Sequence, residues 1–133
     1  MTDAEMTRAL ERCELPNHGF HHADHLRVAL VYLDESATIG EAIDRMASTL
    51  RRFAISVGQA QKYSQATTEF WMFQLAAARA LVPGASADAL FAACPRLLDK
   101  TLLLTVYSAD ASAPGSPDSS SDAPDRPLSR GAV

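Results

Sequence analysis

Apolar residues recur at three- and four-residue steps through the middle of the chain. Ile39, Ala42, Ile43, Met46, Leu50, Phe53, Ala54 and Val57 fall on one side of a helical projection, while Asp44, Arg45, Ser48, Arg51 and Arg52 fill the other. This pattern predicts an amphipathic helix that buries one stripe and leaves the other wet. Thr38 followed by Glu41 supplies a capping-box signature that starts it at Ile39, and Gly58 supplies the stop.

The same reasoning places helices on either side. Asp3 is positioned to cap a first helix reaching about Cys13, after which Pro16, Asn17 and Gly19 break the pattern. A second helix is expected from Phe20 or His21 to about Asp34. A fourth spans Gln65 to Leu81, ending before Pro83 and Gly84, and its Phe70, Trp71 and Phe73 point in several directions, which predicts burial or self-association. Ser86 caps a short fifth helix through Cys94, and Pro95 is suited to open a sixth running to about Tyr107. Leu102 to Tyr107 is the stretch where a strand competes. The expectation is a single-domain all-α bundle of five to six helices over residues 1–107.

Composition changes this picture at one place. From Ser108 the chain turns to Ser, Asp, Ala, Pro and Gly, too poor in large apolar groups to offset its ordering entropy, so 108–133 is read as a disordered tail. Within the 133 residues, a 47% hydrophobic fraction is enough for one core, and no apolar run approaches the roughly 20 residues of a membrane span. Asp3 and Glu5 stand where a secretory signal would carry basic residues, so a cytoplasmic location is expected. A net charge of −4 argues against a phosphate-backbone partner, making nucleic acid a disfavoured one. Cys13 and Cys94 form no CxxC pair and read as free thiols.

All four histidines lie within eight residues, at His18, His21, His22 and His25. On the second helix, Asp24, Arg27 and Asp34 project to one side and His22, His25, Ala29, Tyr32 and Leu33 to the core-facing side. His22 and His25 therefore point inward together. His21 lies on the flank and His18 in the preceding turn. Spacings of three and four residues bring His22 or His21 beside His25, which can supply two nitrogens to a transition metal such as iron, copper or zinc. Neighbouring buried imidazoles also have depressed pKa values, which suits acid/base work equally well.

A third group is needed for either use. Glu69 falls with Phe73, Ala76 and Ala80 on an apolar face of the fourth helix, and an inward carboxylate is there expected to orient a histidine or bind metal. Just upstream, Lys62, Tyr63, Ser64, Thr67 and Thr68 offer a cation, a phenol and hydroxyls to a bound anion or carbonyl. Ser64 serves equally as an N-cap.

Phe20-His21-His22-Ala23-Asp24-His25-Leu26-Arg27-Val28-Ala29, followed by Gly58 and Lys62-Tyr63, resembles a family of small bacterial proteins. Its members carry F-x-H-x-x-H-[LV]-x-x-A and then K-Y-H near a T-x-x-W, and the family has no settled activity. The resemblance covers about residues 15 to 108. It implies roles for His22, His25, Lys62, Tyr63, Thr68 and Trp71. This chain departs at Ser64, where the pattern has a third histidine, so a three-histidine site is incomplete here unless His21 or His18 substitutes.

Two functions compete. The first is a small enzyme or metal-binding catalyst acting on a small molecule, with His22, His25, Glu69 and Tyr63 as catalytic groups, and Lys62, Ser64, Thr68 and Trp71 binding the substrate; His22, His25 and His21 are the metal candidates. The second is a non-catalytic accessory protein or homodimer built on the aromatic fourth helix. A DNA-binding regulator ranks last, since helices three and four carry no basic recognition stripe. No GxSxG elbow, Walker loop, GxGxxG turn or HExxH is present, which leaves serine-hydrolase, nucleotide and zinc-protease chemistries unsupported.

Overall fold

The computed structural model describes residues 1–16 and 20–103, and every described element is helical. Five α-helices follow in order: α1 (Asp3–Glu11), α2 (His22–Glu35), α3 (Ile39–Ser56), α4 (Gln65–Leu81) and α5 (Ala87–Ala93), with 3-10 turns at Ala60–Lys62 and Pro95–Leu98. Met1–Leu98 form one compact unit. Asp99–Val133 form a second, of which 99–103 are described. The expected domain boundary at 107 and the tail beyond it, like His18, lie outside the described residues. No described helix is long and apolar enough to cross a membrane.

Inside the first unit α2 packs against α1, α3 and α4, and α3 against α1, α2 and α4. The sequence of α2 accounts for its position. Leu26, Val28, Ala29, Leu30 and Tyr32 are all buried, so the apolar surface wraps most of the helix instead of forming the single stripe expected for His22, His25, Ala29, Tyr32 and Leu33. The outward side matches better. Asp34 is exposed, and Arg27 reaches across the surface to Asp3 of α1 (3.4 Å) and Asp88 of α5 while its guanidinium lies over the Phe91 ring. Arg79 of α4 makes a comparable tie, donating to the Ala85 carbonyl (2.6 Å) and to Asp34 (2.9 Å).

The helix ends follow local chemistry. Thr38 accepts from the Glu41 N–H (3.1 Å) and starts α3 at Ile39, although the Glu41 carboxylate turns to the Ala37 N–H and not to that of Thr38. At the other end Gly58 takes φ of 70°, letting its N–H reach Ile55 and the next N–H reach Ala54, a Schellman closure. The first helix differs from expectation. Thr2, not Asp3, is its N-cap, with Glu5 closing a capping box on the Thr2 N–H (2.7 Å). Its end uses the same Schellman pattern with Cys13 at φ 57° in the place usually taken by glycine.

A polar network crosses the core where α1, α2 and α3 meet. The fully buried Tyr32 hydroxyl donates to Glu11 (2.6 Å) and accepts from the Thr49 hydroxyl (2.7 Å). Arg8 joins Glu11 to Glu35, and Arg45 joins Glu35 while lying over the Tyr32 ring. Burial together with the adjacent Glu11 carboxylate pushes the Tyr32 phenol up to about 12.

The expected sixth helix does not start at Pro95. Pro95–Leu98 forms one 3-10 turn, and Asp99 then accepts from the N–H groups of Thr101 and Leu102, restarting helical structure at Leu102. The remainder of that expected helix, 104–107, lies outside the described residues.

Candidate functional site

The N-terminal end of α2 gathers the three described histidines, each in a different setting. His21 is the N-cap residue and is exposed; its backbone N–H donates to the Asp24 carboxylate (3.0 Å), so its sequence position serves the helix start. His22, the first helical residue, is partly buried between two other elements. Its Nε2 lies 2.9 Å from the Leu97 carbonyl oxygen, and its ring meets Trp71 edge-on, with centroids 4.6 Å apart.

His25 lies one turn further along. Its ring stacks on Phe20 at 4.1 Å, and Phe20 in turn packs edge-on against Phe53 of α3. Neither ring nitrogen has a hydrogen-bond partner among the described residues. Burial lowers its pKa to about 4, assisted by the neighbouring His22 and opposed by Asp24. At neutral pH the ring is therefore uncharged. The resulting arrangement is a pair of imidazoles against an aromatic wall made by Phe20, Phe53 and Trp71.

Trp71 and Thr68 are the residues of α4 that the fold turns inward with the histidines' helix. Both are buried, but the Thr68 hydroxyl donates back to the Ser64 carbonyl (2.9 Å) and is occupied within its own helix. Ser64 is the N-cap of α4, its side chain accepting from the Thr67 N–H (3.1 Å).

Glu69 corrects the sequence-based expectation. The buried face of α4 is Thr68, Trp71, Met72, Leu75 and Ala78, which leaves Glu69, Phe73 and Ala80 on the exposed side. The cause is composition: α4 is apolar nearly all round, so two faces were plausible by periodicity, and Trp71 with Leu75 and Ala78 packs better than the face holding a carboxylate. Glu69 accepts instead from Gln65 (2.9 Å). Tyr63 also turns to Gln65 (2.6 Å) with Arg51 over its ring, and Lys62 is exposed on the preceding 3-10 turn. No described hydrogen bond or ring contact joins Lys62, Tyr63, Ser64 or Glu69 to His22 or His25.

The described donors do not by themselves make a transition-metal site. Among the described residues no three His, Cys, Asp or Glu side chains converge, and the Nε2 of His22 is already engaged by a carbonyl. Sequence reasoning also missed two participants. Phe20 figured only as a possible helix start and motif residue, with no part in the site, and Leu97 contributes only its backbone, which no side-chain pattern encodes.

The chain matches no family model and no curated protein, and its fold matches no solved structure.

Proposed function

We propose that this chain is a small enzyme acting on a small molecule, with His25 and His22 as its working groups. The observation that supports this reading is His25, a partly buried imidazole held uncharged at neutral pH, with no hydrogen-bond partner for its ring among the described residues. An unprotonated ring nitrogen beside a second imidazole offers a lone pair that can accept a hydrogen bond from a bound hydroxyl or amine and orient it. Phe20 and Trp71, both buried, hold the two imidazoles in place from α3's side and from α4. Lys62, Tyr63, Ser64 and Glu69 have no part in the reading, since each is exposed or engaged elsewhere.

The test is complementation of a deletion strain by the protein with His22→Gln and His25→Gln together. Loss of function from a protein that still folds supports acid/base work at this pair, and undiminished function overturns it. Elemental analysis of untagged protein purified without chelator addresses the metal separately. Iron, copper and zinc are expected well below one per chain, and a stoichiometric amount would reinstate a metal site.

The outer face of α4 favours a second reading, a non-catalytic accessory or self-associating protein. Phe73 and Leu81 are 54% and 78% exposed there, with Ala77 and Ala80 between them. If Phe73→Gln with Leu81→Gln abolishes complementation while the histidine variant does not, this second reading takes the place of the first.

A further inference from the structure

The hydrogen bond from His22 to Leu97 constrains which nitrogen of that ring can do chemistry. A carbonyl oxygen has lone pairs and no hydrogen, so a 2.9 Å bond to Nε2 requires Nε2 to carry the proton. A neutral imidazole has one N–H and one lone pair, so the lone pair then resides on Nδ1. The acceptor is not free to move away. Leu97 is buried in the 3-10 turn Pro95–Leu98, where its own N–H donates to the Cys94 carbonyl (3.0 Å). Trp71, also buried, holds the ring from α4 with an interplanar angle of 67°. Two contacts from separate elements thus fix both the orientation of the ring and its proton.

Resting on the reading of His22 and His25 as working groups, we propose that the Leu97 carbonyl and Trp71 are positioning groups: they hold His22 as its Nε2–H tautomer and reserve Nδ1 as the nitrogen that meets a ligand. The ligand group this fits is a donor, a hydroxyl or an amine, because a nitrogen offering only a lone pair accepts. A bare carboxylate or phosphate finds no donor on the neutral ring except the one already given to Leu97. The assignment also explains why a backbone atom serves here, since a carbonyl cannot donate and so cannot permit the opposite tautomer.

The test is nitrogen NMR of the full chain labelled with 15N-histidine near neutral pH, with His22 assigned by its loss in His22→Gln. The expected spectrum has a protonated-type Nε2 and an unprotonated-type Nδ1, with the tautomers biased roughly tenfold, as a hydrogen bond of about 1 kcal/mol added to the ring's own preference would give. A predominant Nδ1–H form, or tautomers in near-equal exchange, overturns the proposal. Trp71→Phe is expected to preserve the bias and Trp71→Ala to reduce it; an unchanged spectrum in Trp71→Ala removes Trp71 from the assignment. A second measurement uses side-chain shape. Gln places an N–H close to the position of Nε2, whereas Asn places its amide near Nδ1, so His22→Gln should melt close to the wild type and His22→Asn lower; equal melting overturns the Leu97 bond. These readouts need no turnover. A fixed tautomer with intact complementation by His22→Gln, His25→Gln would refute the enzymatic reading alone, and a mixed tautomer with lost complementation would refute the positioning alone.

Discussion

Cys13 adopts a left-handed backbone conformation, φ 57°, that most side chains avoid because the Cβ crowds the following carbonyl. The Schellman closure of α1 demands it, and glycine would meet the demand without strain. Cys13→Gly is expected to stabilise the protein by about 0.5–1 kcal/mol, after subtracting the extra freedom glycine gives the unfolded chain; urea unfolding measures it. His25 makes a prediction of the opposite kind. Its pKa is about 4 when folded and near 6.5 when unfolded, so between those values the unfolded chain binds more protons. Stability is therefore fully present above pH 6.5 and declines as the pH falls toward 4, by up to about 3 kcal/mol. His25→Gln should flatten that limb of a stability-versus-pH curve. The loss below it, where Glu11 and Glu35 lie under their ordinary values because of their arginine and tyrosine partners, should remain.

At the scale of single elements, the capping residues and the long helices were legible in the sequence. Thr38, Gly58, Ser64 and Ser86 act locally, and their side chains or backbone settle the ends of α3, α4 and α5 without reference to the rest of the fold. The inward face of α4 was not legible, because an almost uniformly apolar helix carries no phase; only packing against α2 and α3 chooses Trp71 over Phe73. The same holds for the site. His22, His25 and Trp71 were readable as residue types at helical spacing, but the partnership of His22 with the Leu97 carbonyl depends on a tertiary approach between residues 75 positions apart. Ser64 and Glu69 provide a direct check. Ser64→Ala should cost about 1 kcal/mol as a lost cap, and Glu69→Gln should change stability by less than about 0.5 kcal/mol. Neither should impair complementation. A functional defect from either, in a folded protein, would return it to the site.

For the folded unit as a whole, the polar network at Tyr32 is what makes three helices interdependent. Glu11 comes from α1, Tyr32 and Glu35 from α2, and Arg45 and Thr49 from α3, so neither α1 nor α3 separates from α2 without leaving a group short of a partner. Tyr32→Phe leaves the buried Thr49 hydroxyl and the Glu11 carboxylate each short of a bond, at an expected cost of about 1–3 kcal/mol. Adding Thr49→Val should cost less than the two single losses summed, and a double-mutant cycle by chemical denaturation measures the coupling. Additive losses would show that the network is not a unit.

The contact between Trp71 and His22 has an optical consequence. The sequence holds one tryptophan, and its indole lies edge-on to the imidazole at 4.6 Å. An imidazole in ring contact alters indole emission, so the natural fluorescence of the unlabelled protein reports on this one contact. Emission should shift when a bound molecule displaces or engages the His22 ring, and that response should be lost in His22→Gln. Compounds that occupy the site can thus be sought by light alone, before any reaction is known.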